Sequence, residues 1–148
     1  MGWVAILRLI RQGESWSGHE RHCAFLNFGS ARFANVSATT GLDFQDDGRG
    51  LATVDWDHDG DLDLWLYNRT GPRLRFMRNE TGAIAPQHTF VALRLYGTTC
   101  NRDAIGAREQ LHLKNTSQKL IRTVYAGEGF MSQSSKWLHF GLGPDPQI

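Results

Sequence analysis

Cysteine is nearly absent, with only Cys23 and Cys100 in 148 residues. One pair at most excludes a disulfide-dense scaffold. The two fit either a single bridge in an oxidising compartment or two free small apolar residues. An excess of one charge is lacking too. Sixteen Lys and Arg stand against fifteen Asp and Glu, a formal net charge of +1. That excludes the electrostatic footprint of a nucleic-acid binder or a polybasic membrane anchor. No apolar run is long enough to span a bilayer. Met1 to Ile10 opens apolar, but Arg8 and Arg11 interrupt the run and no small-residue cleavage site follows. It reads as a poor signal peptide, or as the ragged start of a fragment.

Catalytic signatures are lacking as well. Ser132, Ser134, Ser135, His139 and Asp145 offer the residue types of a triad, but nothing resembles a nucleophile elbow. Glu128 and Asp103 are a carboxylate pair whose separation the sequence does not set. His112 and His139 read as surface or pocket-edge histidines. In Gly18-His19-Glu20-Arg21-His22-Cys23 the two His are three apart, so the zincin spacing of four fails and a solvated connection is expected. No catalytic residue is assigned, and the chain is read as non-enzymatic.

What is abundant is acid in one place. Asp43, Asp46, Asp47, Asp55, Asp57, Asp59, Asp61 and Asp63 make eight of the fifteen acidic residues, which implies a counter-charge. Asp55, Asp57 and Asp59 occupy the first, third and fifth positions of a calcium loop, and Gly60 permits the bend that follows. The Asp61 carbonyl falls at the seventh position and Asp63 at the ninth, leaving the side chains of Asp61 and His58 to point outward. Without a cation, carboxylates facing one point repel by about 1 to 4 kcal/mol per close pair. An EF-hand needs a bidentate Glu at the twelfth position and flanking helices; here the twelfth residue is Leu66 and the flanks alternate like strands. The alternatives are a solvated acidic hairpin tip and a magnesium site. Magnesium suits the pattern less well, because it tends to keep its waters.

Elsewhere the pattern is short strands and polar turns. Cys23–Asn27, Arg32–Val36, Leu51–Trp56, Leu62–Tyr67 and Leu74–Met77 read as strands, the third and fourth joined by the acidic loop. Ala83–His88 reads as a linker. Beyond it, Phe90–Tyr96, the run around Leu111 and Leu113, Lys119–Tyr125 and Trp137–Leu142 alternate. The first of these puts Val91, Leu93 and Leu95 on one face. Together they argue for an all-β fold class. Phe25-Leu26-Asn27 with Gly29 is faintly repeated by Phe76-Met77-Arg78-Asn79 with Gly82, roughly fifty residues later, a period compatible with propeller blades. Asn101-Arg102-Asp103 and the Gly-rich turns form either a polar binding rim or turns held by structural hydrogen bonds. Asn35, Asn68, Asn79 and Asn115 begin N-x-Ser/Thr sequons.

Several of these stretches look familiar. Phe25-Leu26-Asn27, Phe33-Ala34-Asn35-Val36-Ser37, Gly41-Leu42, Gly48-Arg49-Gly50 and the run Asp55 to Trp65 resemble the FG-GAP (VCBS-type) repeat. Asn101-Arg102-Asp103-Ala104-Ile105-Gly106-Ala107, Ala126 to Phe130, Ser132 to Ser135 and Leu138 to Gly143 resemble the ASPIC/UnbV domain. That order is the order of the cartilage acidic protein family and its bacterial relatives. The resemblance implies an all-β fold: a partial β-propeller of about one to one and a half FG-GAP blades, then a small β-rich ASPIC/UnbV domain. The expected division is a poorly defined tail at 1–16, a blade region at 17–88 with its calcium loop at 55–63, and ASPIC/UnbV at 89–148, cut short at its end.

By the same resemblance, the metal ligands are Asp55, Asp57, Asp59, Asp61 through its carbonyl, and Asp63, holding a structural Ca2+. The implied setting is extracellular or the bacterial cell envelope, and the implied role is adhesion or protein interaction. The alternative is a carbohydrate-binding or carbohydrate-active protein using the C-terminal β domain. The partner is an unidentified protein or glycan, and the rest of a longer propeller chain is expected to be missing.

Overall fold

The computed structural model describes residues 2–12, 18–114 and 119–144. Asn115 with its sequon and the last four residues, Asp145 among them, lie outside the described residues. The described residues are β-rich: nine strands and two short helices. Among them no helix is long and apolar enough to cross a membrane.

The strands begin and end close to where alternation places them. β1 (Phe25–Asn27) and β2 (Phe33–Asn35) form an antiparallel pair with Leu26 opposite Ala34. β3 (Gly48–Val54), β4 (Asp63–Asn68) and β5 (Leu74–Met77) form a three-stranded sheet in that order. β6 (Thr89–Leu93) pairs antiparallel with β9 (Leu138–Gly143), and β7 (Arg108–His112) with β8 (Lys119–Thr123). Among the described residues no closed barrel or propeller is formed; their strands make four small sheets.

Two helices depart from the sequence-based expectation. α1 (Gly2–Arg11) occupies the stretch without a clear pattern. Trp3, Leu7 and Ile10 recur at helical spacing on it, and all three are exposed. α2 (Thr81–Ile84) is a single turn ending inside the expected linker.

The chain divides into two compact units. The first comprises Met1–Gly48 and Asn68–Arg73. Its centre is polar: Asp46, Asp47 and Asn68 are buried. Asp47 accepts the Glu20 N–H at 3.0 Å, and Asn68 Nδ2 donates to the Pro72 carbonyl at 2.9 Å and to Asp46 at 3.3 Å. Phe25, Phe28 and Phe33 are exposed.

The second unit comprises Arg49–Tyr67 and Leu74–Ile148, so the acidic loop and the C-terminal strands share one compact body. Its apolar core is Val124, Leu138 and Phe140, with Leu93, Leu95, Leu111, Leu120 and Leu142 packed around them. Strand alternation explains the choice. On β9, Leu138, Phe140 and Leu142 face the core, which turns His139 to the opposite face. On β6 the same rule sends Val91 and Leu93 one way and Phe90 and Ala92 the other. Burying side chains of this size contributes roughly 1.5–3 kcal/mol each.

Candidate functional site

The acidic loop, residues 55–63, runs from the end of β3 into the start of β4. Its base is held by an aromatic cluster. Trp65 and Phe76 are cross-strand partners on β4 and β5, with ring centroids 4.7 Å apart. Trp56 packs edge-on against Trp65 at 5.4 Å. Offset and edge-to-face pairs of this kind add about 0.5–1.5 kcal/mol each beyond area burial.

Within the loop, Asp55, Asp57 and Asp59 each present an oxygen such that all three lie within 4.8 Å of one another. Asp55 Oδ2 accepts the Gly60 N–H at 3.2 Å, and Asp59 Oδ1 accepts the Asp61 N–H at 2.9 Å. The bend falls at Gly60, whose φ of +94° favours glycine. The other oxygen of Asp55, Oδ1, is buried and has no hydrogen-bond partner among the described residues. A buried carboxylate oxygen left unpaired is costly; a cation beside Asp57 and Asp59 would satisfy it.

The last two acids do different work. Asp63 is 1% exposed. Its Oδ2 accepts the Trp56 N–H at 3.1 Å and its Oδ1 the Asn79 N–H at 2.8 Å. It thus ties the loop's entry to the chain beyond β5. The Asp61 carboxylate, expected to point outward, accepts the N–H of Gly82 in α2. His58 is exposed, with φ +61°.

Two features of the loop's surroundings were missed in the sequence. Arg78, just past β5, places Nη2 2.6 Å from Asp57 and 3.8 Å from Asp59, while its Nε reaches Glu80 at 3.1 Å. A guanidinium thus supplies counter-charge to the cluster. His139 of β9 places Nε2 2.6 Å from the Gly60 carbonyl oxygen, and Phe90 of β6 stacks on its ring at 5.2 Å. Alternation alone signalled that His139 leaves the core face; it did not signal what the ring meets.

Among the described residues, Asp55, Asp57 and Asp59 form the one group of three or more metal-ligand side chains, so His19, His22 and Cys23 are not gathered into such a group. Cys23 and Cys100 are both free and exposed. Asn101 closes its own turn: Oδ1 accepts the Ile105 N–H at 2.6 Å and Nδ2 donates to the Ile105 carbonyl. Asp103 is paired with Lys136 and lies 3.7 Å from Arg94. Hydrogen bonding from Lys136, with its charge and those of Arg94 and Arg102, holds the Asp103 carboxyl below its ordinary value. In the first unit, Arg21 does the same to Asp43, to which it bonds at 2.5 Å and 2.7 Å.

The hydroxyls of Ser132, Ser134 and Ser135 are each engaged by backbone groups. Ser132 donates to the Glu128 carbonyl at 2.7 Å, Ser134 accepts the Thr53 N–H and Ser135 the Trp137 N–H. Of the sequon asparagines, Asn35 is exposed, Asn79 is half-buried and Asn68 is fully buried.

With this geometry in view, residues 97–148 match the family model described as ASPIC and UnbV. That bears out the C-terminal part of the resemblance. No curated protein and no solved structure matches the chain.

Proposed function

We propose that this chain is a non-enzymatic, calcium-binding β module of the FG-GAP-then-ASPIC/UnbV arrangement, working outside the cell or at the cell envelope in adhesion or protein interaction. Residues 17–88 then supply about one to one and a half blades of a larger propeller. The observation that carries the metal reading is the buried Asp55 Oδ1, without a hydrogen-bond partner among the described residues, beside Asp57 and Asp59. Calcium takes six to eight oxygen ligands and tolerates irregular geometry. Asp55, Asp57, Asp59 and the Asp61 carbonyl would hold it, with Asp63 at the ninth position bracing the loop. The ion supplies positive charge that offsets carboxylate repulsion. Its role is structural, because it fixes the connection between β3 and β4.

Calorimetric titration of the full chain with calcium tests this. Binding with a raised melting temperature, both abolished by Asp55→Ala or Asp59→Ala, is the expected result. No uptake at millimolar calcium overturns the metal reading.

A further inference from the structure

The second unit holds a cleft of about 260 Å³ that no motif in the sequence announces. Its aromatic walls are Trp137, Tyr125 and Phe90, its polar groups include Arg122, Gln133 and Glu128, and Asp55 reaches it from the acidic loop. Trp137 is 52% exposed and Tyr125 56% exposed, so both keep ring surface open to solvent.

The Arg122 side chain and the segment that carries Gln133 and Trp137 are held in place. The Arg122 guanidinium donates from Nε to the His139 carbonyl at 3.2 Å and from Nη1 to the Ile121 carbonyl at 3.1 Å. Ser135 donates its N–H to the Thr53 carbonyl at 3.2 Å, and the Ser134 hydroxyl accepts the Thr53 N–H at 3.2 Å. These bonds lay the segment carrying Gln133 and Trp137 along β3. The Ser135 hydroxyl accepts the Trp137 N–H at 3.1 Å, fixing where that ring starts. Groups held before binding lose little entropy on binding.

We propose that this cleft binds one neutral sugar ring. Three observations point to that chemistry. Exposed aromatic faces match the apolar C–H faces of a pyranose. Planar polar side chains (Arg122, Gln133, Glu128) match pairs of neighbouring hydroxyls, which donate and accept together. The lining carries two acids, Asp55 and Glu128, and two bases, Arg122 and Lys136, so no net charge selects an ion. A cavity of this size suits a single ring, below the usual range for drug-sized ligands. The proposal goes beyond the calcium reading and stands without it.

Saturation-transfer NMR on the full chain tests the proposal, with the methyl glycosides of glucose, galactose, mannose and N-acetylglucosamine as probes. At least one glycoside is expected to receive saturation. Trp137→Ala is expected to weaken that binding by about tenfold or more, the scale of an aromatic anchor, while Trp3→Ala on α1 leaves it unchanged. Gln133→Ala, at an exposed position, keeps the test decisive should Trp137→Ala fail to fold. Absence of transfer to all four glycosides, or transfer that survives both cleft variants, overturns the proposal. Calcium calorimetry on the same samples reads the metal site separately, so failure of one reading is distinguishable from failure of the other.

Discussion

His139 Nε2 lies 2.6 Å from the carbonyl oxygen of Gly60, across 79 residues of chain. A carbonyl only accepts, so the imidazole carries its proton on Nε2. Phe90 stacks on the same ring at an interplanar angle of 11°. The tightest bend of the acidic loop is thereby clamped against the sheet of β6 and β9, part of the same compact unit.

Gly60→Ala is the substitution this clamp tolerates least. An added Cβ would stand 2.0 Å from Phe90 Cε1, in a backbone conformation with φ +94°. Positive φ for a non-glycine costs about 1–3 kcal/mol, and overpacking typically adds 1–3 kcal/mol. Urea unfolding is expected to show a loss of about 2–6 kcal/mol. Phe90→Ala in the same chain should return the steric part, giving a non-additive double-mutant cycle. An additive cycle would mean that the ring does not press on the loop.

Asp63→Asn separates bracing from ligation. Both carboxylate oxygens accept backbone N–H groups, from Trp56 and Asn79. An amide keeps one acceptor and turns an NH2 against a donor. The buried N–H left unsatisfied costs about 1–3 kcal/mol. That loss is expected with a calcium chelator present. If stability in chelator is unchanged and only calcium affinity falls, Asp63 acts as a ligand rather than a brace.

The β-strands were largely legible because their signal is local. Leu74–Met77 coincides with its observed strand, and alternation put Leu93 and Leu95 toward the core. The acid spacing at 55, 57 and 59 likewise identified side chains that do converge. What stayed hidden depends on contacts distant in sequence. Arg78 meets Asp57 only because β4 and β5 pair, and His139 meets Gly60 only because β9 pairs with β6. Asp63 looked like one more acid of the loop, yet tertiary structure turns it inward to two backbone donors. The helix Gly2–Arg11 was obscured differently, since a short apolar run with two arginines also reads as a targeting segment.

Acid titration should report on Asp103. Its folded carboxyl sits below the ordinary carboxylate value, chiefly through hydrogen bonding from Lys136. A lowered folded value means that the stabilisation is fully present above the unfolded carboxylate range. It is lost as the pH falls through the folded value. The stability difference between the native chain and Lys136→Met is therefore expected to be flat near neutrality and to close in acid. Carbon-detected NMR of the Asp103 carboxyl should show its midpoint moving up in the variant. An unmoved midpoint would remove Lys136 as the cause.

Arg78→Ala tests whether a guanidinium and a metal ion compete for the same acids. Arg78 is about half exposed and touches Asp57, Asp59 and Glu80. Exposed pairs contribute about 0.2–1 kcal/mol, so in chelator the variant should lose no more than that. In calcium the direction reverses, because an ion no longer has to displace the guanidinium from Asp57. Calcium affinity is expected to rise by up to about fivefold in low salt, the equivalent of the pair's worth. The gain should shrink as salt screens the native pair. Weaker calcium binding in Arg78→Ala would instead mean that Arg78 positions the carboxylates for the ion rather than competing with it.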